Sequence, residues 1–243
     1  MPLTFFTFSS PPKFYRLTGY LIPLCWAVFA VLCAIGLYLG FFVAPTDATQ
    51  GDVYRVIFIH VPAAWMSMVL YLVMAFWAAI GWAFNTRLAS MVARAAAPTG
   101  AMFTFLALWT GSLWGKPTWG TWWVWDARLT SELILLFLYL GFMALVEAID
   151  DTRRADQAGA LLAIVGAVNV PIIYFSVKWW NTLHQGATVS PTMAPKMVST
   201  MLTAMLLMSL AFWAYAFAMV FTRTRALILE RERGAHWVAE LKA

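Results

Sequence analysis

Two histidines and a cluster of tryptophans are the residues of this sequence best suited to chemistry. Five tryptophans occur within residues 114–125, in the sequence WGKPTWGTWWVWDARLTS that spans residues 114–131: Trp114, Trp119, Trp122, Trp123 and Trp125. His60 and His184 lie far from this segment in sequence. Two neutral imidazoles on opposite sides of an iron porphyrin make a six-coordinate site. Indole rings offer flat apolar faces to the same ligand.

Charged residues near these positions are candidates for the anionic edge of such a ligand. Arg55 and Arg128 are placed to pair with porphyrin propionates, because a guanidinium recognises planar carboxylates well. Asp126 is expected to orient Arg128 or a tryptophan N–H. Further candidate cations are Lys116, Lys178 and Lys196.

Each of these residues also has a purely structural interpretation. Tryptophans form aromatic belts at membrane interfaces. His60 could cap a helix, His184 could be an ordinary loop residue, and Arg55 and Arg128 could be interfacial anchors. Five tryptophans in one short segment exceed what a belt requires, so the residues taken together favour a ligand site.

The tryptophan-rich segment, residues 114–131, is predicted to be an irregular loop. Gly115, Pro117 and Gly120 interrupt it, and glycine and proline at this density break helices. An apolar loop of this kind fits a membrane surface better than the surface of a soluble domain.

The composition identifies the elements that must position these residues. Of the 243 residues, 63% are hydrophobic and 11% are charged, whereas a soluble domain carries roughly 25% charged residues. The chain is therefore predicted to be an all-α integral membrane protein, with one domain over residues 1–222 and a basic cytoplasmic tail over 223–243. The six predicted transmembrane helices cover residues 20–43, 58–84, 95–113, 131–149, 157–177 and 199–222.

The distribution of basic residues predicts the orientation of the chain. Six spans put both termini on one side, and eleven of the sixteen lysines and arginines fall on that side. By the positive-inside rule both termini are cytoplasmic. The start of the second span, the tryptophan-rich segment and the loop that holds His184 then share the outer face, while His236 lies in the cytoplasmic tail.

Several activities find no support in the sequence. Cys25 and Cys33 are eight residues apart, so there is no C-x-x-C-H motif for covalent haem attachment. No Ser/His/Asp array or carboxylate pair indicates hydrolysis. We therefore expect the chain not to be an enzyme, and any ATP hydrolysis is expected from a partner.

The motifs resemble a known family. WGTWWVWD resembles the signature of the WWD haem-handling membrane proteins. The six-span length, HVPAAW from His60, and WWNTLHQG ending at Gly186 resemble the CcmC branch, which belongs to System I cytochrome c maturation. The resemblance covers almost the whole chain.

This resemblance implies a function, a site and a set of partners. It implies that haem b is bound non-covalently as cargo on the outer face of the bacterial inner membrane, with axial ligands at His60 and His184. The implied haem-contact residues are Trp114, Trp119, Trp122, Trp123, Trp125 and Asp126, with Arg128 and Arg55 near the propionates. The implied partners are the haem chaperone CcmE, to which the haem is delivered during c-type cytochrome biogenesis, the small membrane protein CcmD, and the ABC components CcmA and CcmB.

Two other functions remain open. One is an electron-transfer cytochrome b with two histidine ligands. The other is a transporter subunit that has no haem site of its own and whose tryptophans are only interfacial. The route by which haem reaches the site is also open.

Overall fold

The computed structural model describes residues 10–184 and 197–241, which are almost entirely helical. The helices in chain order are α1 (Pro11–Tyr38), continued by a π-helical turn (Leu39–Val43); a 3-10 helix (Asp52–Val56) that leads into α2 (Ile57–Phe84); α3 (Arg87–Trp119); α4 (Ala127–Glu147); α5 (Thr152–Gly166); α6 (Asn169–Trp179); α7 (Ser199–Arg231); and α8 (His236–Glu240).

In the part of the chain that the structure describes, six helical segments are long and apolar enough to cross a membrane, and α5 and α6 together form one of them. The fold class is therefore confirmed: this is an all-α integral membrane protein. Several segments are longer than predicted. The 33 residues of α3 extend about 50 Å at the helical rise per residue, whereas the hydrocarbon core is about 30 Å thick.

The core lies between α2 and its neighbours. α2 packs most extensively on α3, and α1 packs mainly on α7. The largest buried side chains include Tyr71 on α2 and Tyr139 on α4, whose rings meet edge to face with centroids 5.0 Å apart. The Tyr139 hydroxyl donates to the backbone oxygen of Ser67 at 2.8 Å, which ties α4 to α2.

The prediction that the tryptophan-rich segment is irregular from residue 114 is wrong. α3 continues through Gly115 and Pro117 and ends at Trp119, so the non-helical connection begins at Gly120. Gly120 has φ of 79°, and its N–H donates to the Lys116 oxygen at 3.0 Å. This left-handed glycine is a common way for a helix to end.

The next two spans also differ from their predicted bounds for identifiable reasons. α4 begins at Ala127 because Asp126 caps it, with Oδ1 accepting the Leu129 N–H at 2.8 Å. The fifth span is interrupted between Gly166 and Asn169. Pro171 accounts for this break, because its ring would meet the carbonyl of Ala167 in an unbroken helix.

Candidate functional site

A cavity of about 40 Å³ lies where the start of α2, the end of α3, the start of α4 and the segment after α6 come together. All four lie at one end of the bundle because consecutive spans alternate in direction. The side chains that line the cavity include His60, Trp119, Trp122, Trp123, Arg128, Glu132 and His184. The two histidines and three of the five predicted tryptophans therefore share one site.

His60 is held by α3. Its Nδ1 lies 3.0 Å from the Thr110 hydroxyl oxygen, and its ring meets that of Trp114 edge to face, with centroids 5.7 Å apart. Trp114 is fixed in turn by Gln50, whose side-chain oxygen accepts the indole N–H at 2.8 Å. Trp114 thus supports His60, although the structure does not place it in the cavity wall.

His184 is held by the Trp119 ring and by the residues around Asp126. The His184 and Trp119 ring centroids are 5.2 Å apart. The His184 backbone N–H donates to the Thr182 hydroxyl at 3.1 Å, and that hydroxyl donates to Asp126 Oδ2. Asp126 Oδ2 is 3.8 Å from His184 Nδ1, which is beyond hydrogen-bond distance.

Burial of the His184 imidazole lowers its pKa to about 4; nearby Arg128 lowers it as well, and Asp126 acts in the opposite direction. The ring is therefore neutral near pH 7. A neutral imidazole has a free lone pair and can bind a metal ion.

The non-helical connection between α3 and α4 forms the outer wall of the cavity. The Ser112 hydroxyl donates to the Trp122 oxygen at 2.9 Å, which ties this connection back to α3. Trp125 is 76% exposed and meets Trp123 edge to face with centroids 5.4 Å apart. Trp125 thus lies outside the cavity, and its ring is exposed at the surface.

The predicted cations behave differently from one another. Arg128 lines the cavity, and its guanidinium donates to the Ile173 oxygen at 2.7 Å. Arg55 does not line it: its guanidinium donates to the backbone oxygens of Gly40 and Ala44 at 2.7 and 3.0 Å and pairs with Asp52 at 3.0 Å. The expectation that Arg55 lies in the ligand site finds no support in this arrangement.

Of the three candidate lysines the structure describes two, Lys116 and Lys178, and neither lines the cavity. Lys116 donates to the Gly120 oxygen at 3.1 Å, and Lys178 lies over the Phe175 ring, 5.8 Å from its centroid. Lys196, like Gly186 of the WWNTLHQG motif, lies outside the described residues.

Sequence reasoning missed one charged residue of the site, Glu132. Only 6% of the residue is exposed, and Oε1 accepts the Ser67 hydroxyl at 2.7 Å. Oε2 has no hydrogen-bond partner within residues 10–184 and 197–241. The sequence signal for it is a carboxylate one turn after Arg128 in an apolar span, where ionisable residues usually have a function.

The side chains present fit an iron porphyrin in donor chemistry. Two imidazoles, several indole rings and a guanidinium face one cavity, as axial ligation, macrocycle contact and carboxylate recognition require. The volume of about 40 Å³ accommodates only a few water molecules. The cavity in this arrangement is therefore too small to enclose a macrocycle.

Fold and site together define a polytopic α-helical membrane protein with two histidines and a tryptophan-lined cavity at one end of its bundle. The family model described as CcmC, heme exporter protein C, matches residues 4–239. The chain belongs to this family.

Individual relatives agree with the family match. The chain is similar to the "Heme exporter protein C" of Escherichia coli (strain K12), with 47% identity over 95% of this chain and 93% of the relative. It is 49% identical to the protein of that name from Bradyrhizobium diazoefficiens, over 86% of this chain and 80% of the relative. A "Putative cytochrome c biosynthesis ccmC-like mitochondrial protein" of Marchantia polymorpha is 47% identical over 72% of this chain and 73% of its own length.

Proposed function

We propose that this protein binds haem b non-covalently and delivers it to the haem chaperone CcmE during the maturation of c-type cytochromes. The observation that carries the proposal is that His60 and His184 line one cavity together with Trp119, Trp122 and Trp123. The names of the relatives support it, since they refer to haem export and to cytochrome c biosynthesis.

Each residue of the site has a role in this proposal. His60 and His184 are the axial ligands of the iron. Trp119, Trp122 and Trp123 contact the faces of the macrocycle. Arg128 gives up its hydrogen bond to the Ile173 oxygen on α6 and donates to a propionate instead. Asp126 holds the segment that carries His184, and Trp114 holds His60. Arg55 fixes the end of the first span to the start of the second rather than contacting haem.

The small cavity indicates how haem is gained and lost. The wall between α3 and α4 is non-helical from residue 120 to residue 126, and the Ser112 hydroxyl joins its middle to α3 through the Trp122 oxygen. Displacement of this wall gives a planar ligand access from the end of the bundle. A site with this access suits handover, because cargo does not have to cross the helical core.

The remaining parts of the proposal concern location and partners. The protein resides in the bacterial inner membrane with both termini in the cytoplasm and the haem site facing the periplasm. The small membrane protein CcmD assists the handover, and the ABC components CcmA and CcmB carry out the ATP hydrolysis. The protein itself binds and transfers haem and is not an enzyme.

The first experiment compares the visible spectrum of detergent-purified protein with that of the His60→Ala/His184→Ala variant. We expect a low-spin, six-coordinate haem spectrum that becomes high-spin or disappears in the variant. The His236→Ala variant is the matched control. His236 is exposed, its Nδ1 lies 3.2 Å from Glu240 Oε1, and it does not line the cavity. The haem spectrum of this variant should not change. A folded protein that shows no Soret band after purification from cells with ample haem would contradict the proposal in favour of a transporter subunit.

Mixing haem-loaded protein with purified apo-CcmE tests delivery. We expect the haem absorbance to move to the chaperone fraction after the two proteins are separated. Haem that stays on the membrane protein and cycles reversibly between two oxidation states would instead indicate an electron-transfer cytochrome.

A further inference from the structure

We propose that Thr110 is a positioning residue that holds His60 as its Nδ1–H tautomer and so leaves Nε2 free to bind a metal ion. This inference rests on the proposed function, since it assigns a role in haem ligation. The tautomer of His60 in the ligand-free protein can be tested separately.

The hydrogen-bond geometry of Thr110 determines which atom carries the shared proton. The Thr110 hydroxyl oxygen lies 2.6 Å from the Leu106 backbone oxygen and 3.3 Å from that of Ala107. A carbonyl oxygen only accepts, so the single hydroxyl proton points to Leu106. If it pointed to His60 instead, two oxygen atoms would face each other at 2.6 Å without a proton between them.

The Thr110 oxygen therefore presents a lone pair to His60 Nδ1 at 3.0 Å. Only an N–H can make a favourable contact there, so Nδ1 carries the proton. In a neutral imidazole the other nitrogen, Nε2, then has the lone pair. Histidine ligands of metal ions are commonly oriented in this way through their second ring nitrogen.

The neighbouring glycine gives the His60 ring its space. A Cβ atom added to Gly111 would lie 2.9 Å from His60 Cε1, closer than two such carbons approach. Trp114 packs edge-on against the same ring. Thr110, Gly111 and Trp114 are thus one turn of α3 that fixes both the proton and the position of the imidazole.

The test uses Thr110→Val, which keeps the shape of the side chain and removes the hydroxyl. We expect haem affinity to fall on the order of 10-fold or more, as removal of the residue behind a metal ligand commonly does, with a larger high-spin fraction in the spectrum. Thr110→Ser retains the hydroxyl and should restore the wild-type spectrum. Thr104→Val is the matched control, because Thr104 is buried on the same helix and, within residues 10–184 and 197–241, its hydroxyl bonds only to the Gly100 oxygen at 2.8 Å.

A second variant separates the hydrogen bond at Thr110 from the space that Gly111 leaves for the His60 ring. Gly111→Ala retains the hydroxyl of Thr110 but displaces the imidazole ring. We expect it to weaken haem binding as well, without changing which nitrogen is protonated in the ligand-free protein.

Nitrogen NMR of the ligand-free protein, labelled with ¹⁵N-histidine, reads the tautomer directly. His60→Ala assigns the signal by its loss. We expect the Nδ1–H tautomer in the wild type and in Thr110→Ser, and a mixture of tautomers in Thr110→Val. Equal tautomers and equal haem affinity in Thr110→Val and the wild type would overturn the proposal. If the wild type binds no haem at all, the proposed function fails, and the NMR result alone decides the tautomer.

Discussion

At the scale of single residues, Asp126 connects the fold to the site. One carboxylate oxygen caps α4 and the other accepts the Thr182 hydroxyl beside His184. Asp126→Ala loses the cap and should lower the free energy of unfolding by about 1 kcal/mol. Asp126→Asn keeps the cap, since asparagine caps as well as aspartate does, but it loses the negative charge beside Thr182 and His184.

Thermal unfolding in detergent and haem titration distinguish these two roles of Asp126. We expect only Asp126→Ala to be destabilised, while both variants bind haem more weakly than the wild type. Equal destabilisation of the two variants would show that the charge, rather than the cap, stabilises α4.

The residues of the site were predictable from sequence to different degrees. His60, His184 and the tryptophans stand out because their types are rare and because counting spans places them at one end. Arg55 looked equally suitable, but its guanidinium donates hydrogen bonds to the Gly40 and Ala44 backbone oxygens at the π-helical end of the first span. Thr110 gives no sequence signal, because a threonine in an apolar helix usually bonds only to its own backbone.

At the scale of elements, the end of α3 is the feature that sequence rules described least well. Gly115 and Pro117 were expected to break the helix, yet packing at the end of the bundle keeps it helical to Trp119. Gly120 is the true boundary, because its positive φ stops the helix and starts the wall of the cavity. Local propensity alone does not distinguish these glycines, since tertiary contacts decide which of them ends the helix.

Substitution of Gly120 tests whether the end of α3 at this residue fixes the conformation of the cavity wall, residues 120–126. A Cβ atom at Gly120 would meet nothing within 4 Å, so any effect of Gly120→Ala comes from the backbone. The left-handed conformation costs a residue other than glycine about 1 kcal/mol or more, and we expect faster amide exchange over residues 120–126. Gly120→Asn is the control, because asparagine tolerates this conformation better. Exchange in Gly120→Ala as slow as in the wild type would show that the wall is held by other contacts.

At the scale of the whole molecule, the two ends of the bundle differ in chemistry. The cavity with its histidines is at one end. At the other end Asp156 pairs with both Arg94 and Arg231 at 2.9 Å, which joins α3, α5 and α7. Most of the basic residues also belong to this second end, and it is the end that the positive-inside rule assigns to the cytoplasm.

The proposed handover requires the cavity end to face the periplasm, and cysteine labelling tests this orientation. With Cys25 and Cys33 replaced by serine, Ala48→Cys reports on the exposed connection between α1 and α2, and Gly234→Cys reports on the exposed segment before α8. A cysteine side chain at Gly234 has open space, since no atom lies within 4 Å of its Cβ position. A membrane-impermeant maleimide should label Ala48→Cys in spheroplasts and Gly234→Cys only after lysis. The reverse pattern would put the histidines on the cytoplasmic side, where a periplasmic chaperone has no access to them, and delivery to CcmE would have to be abandoned.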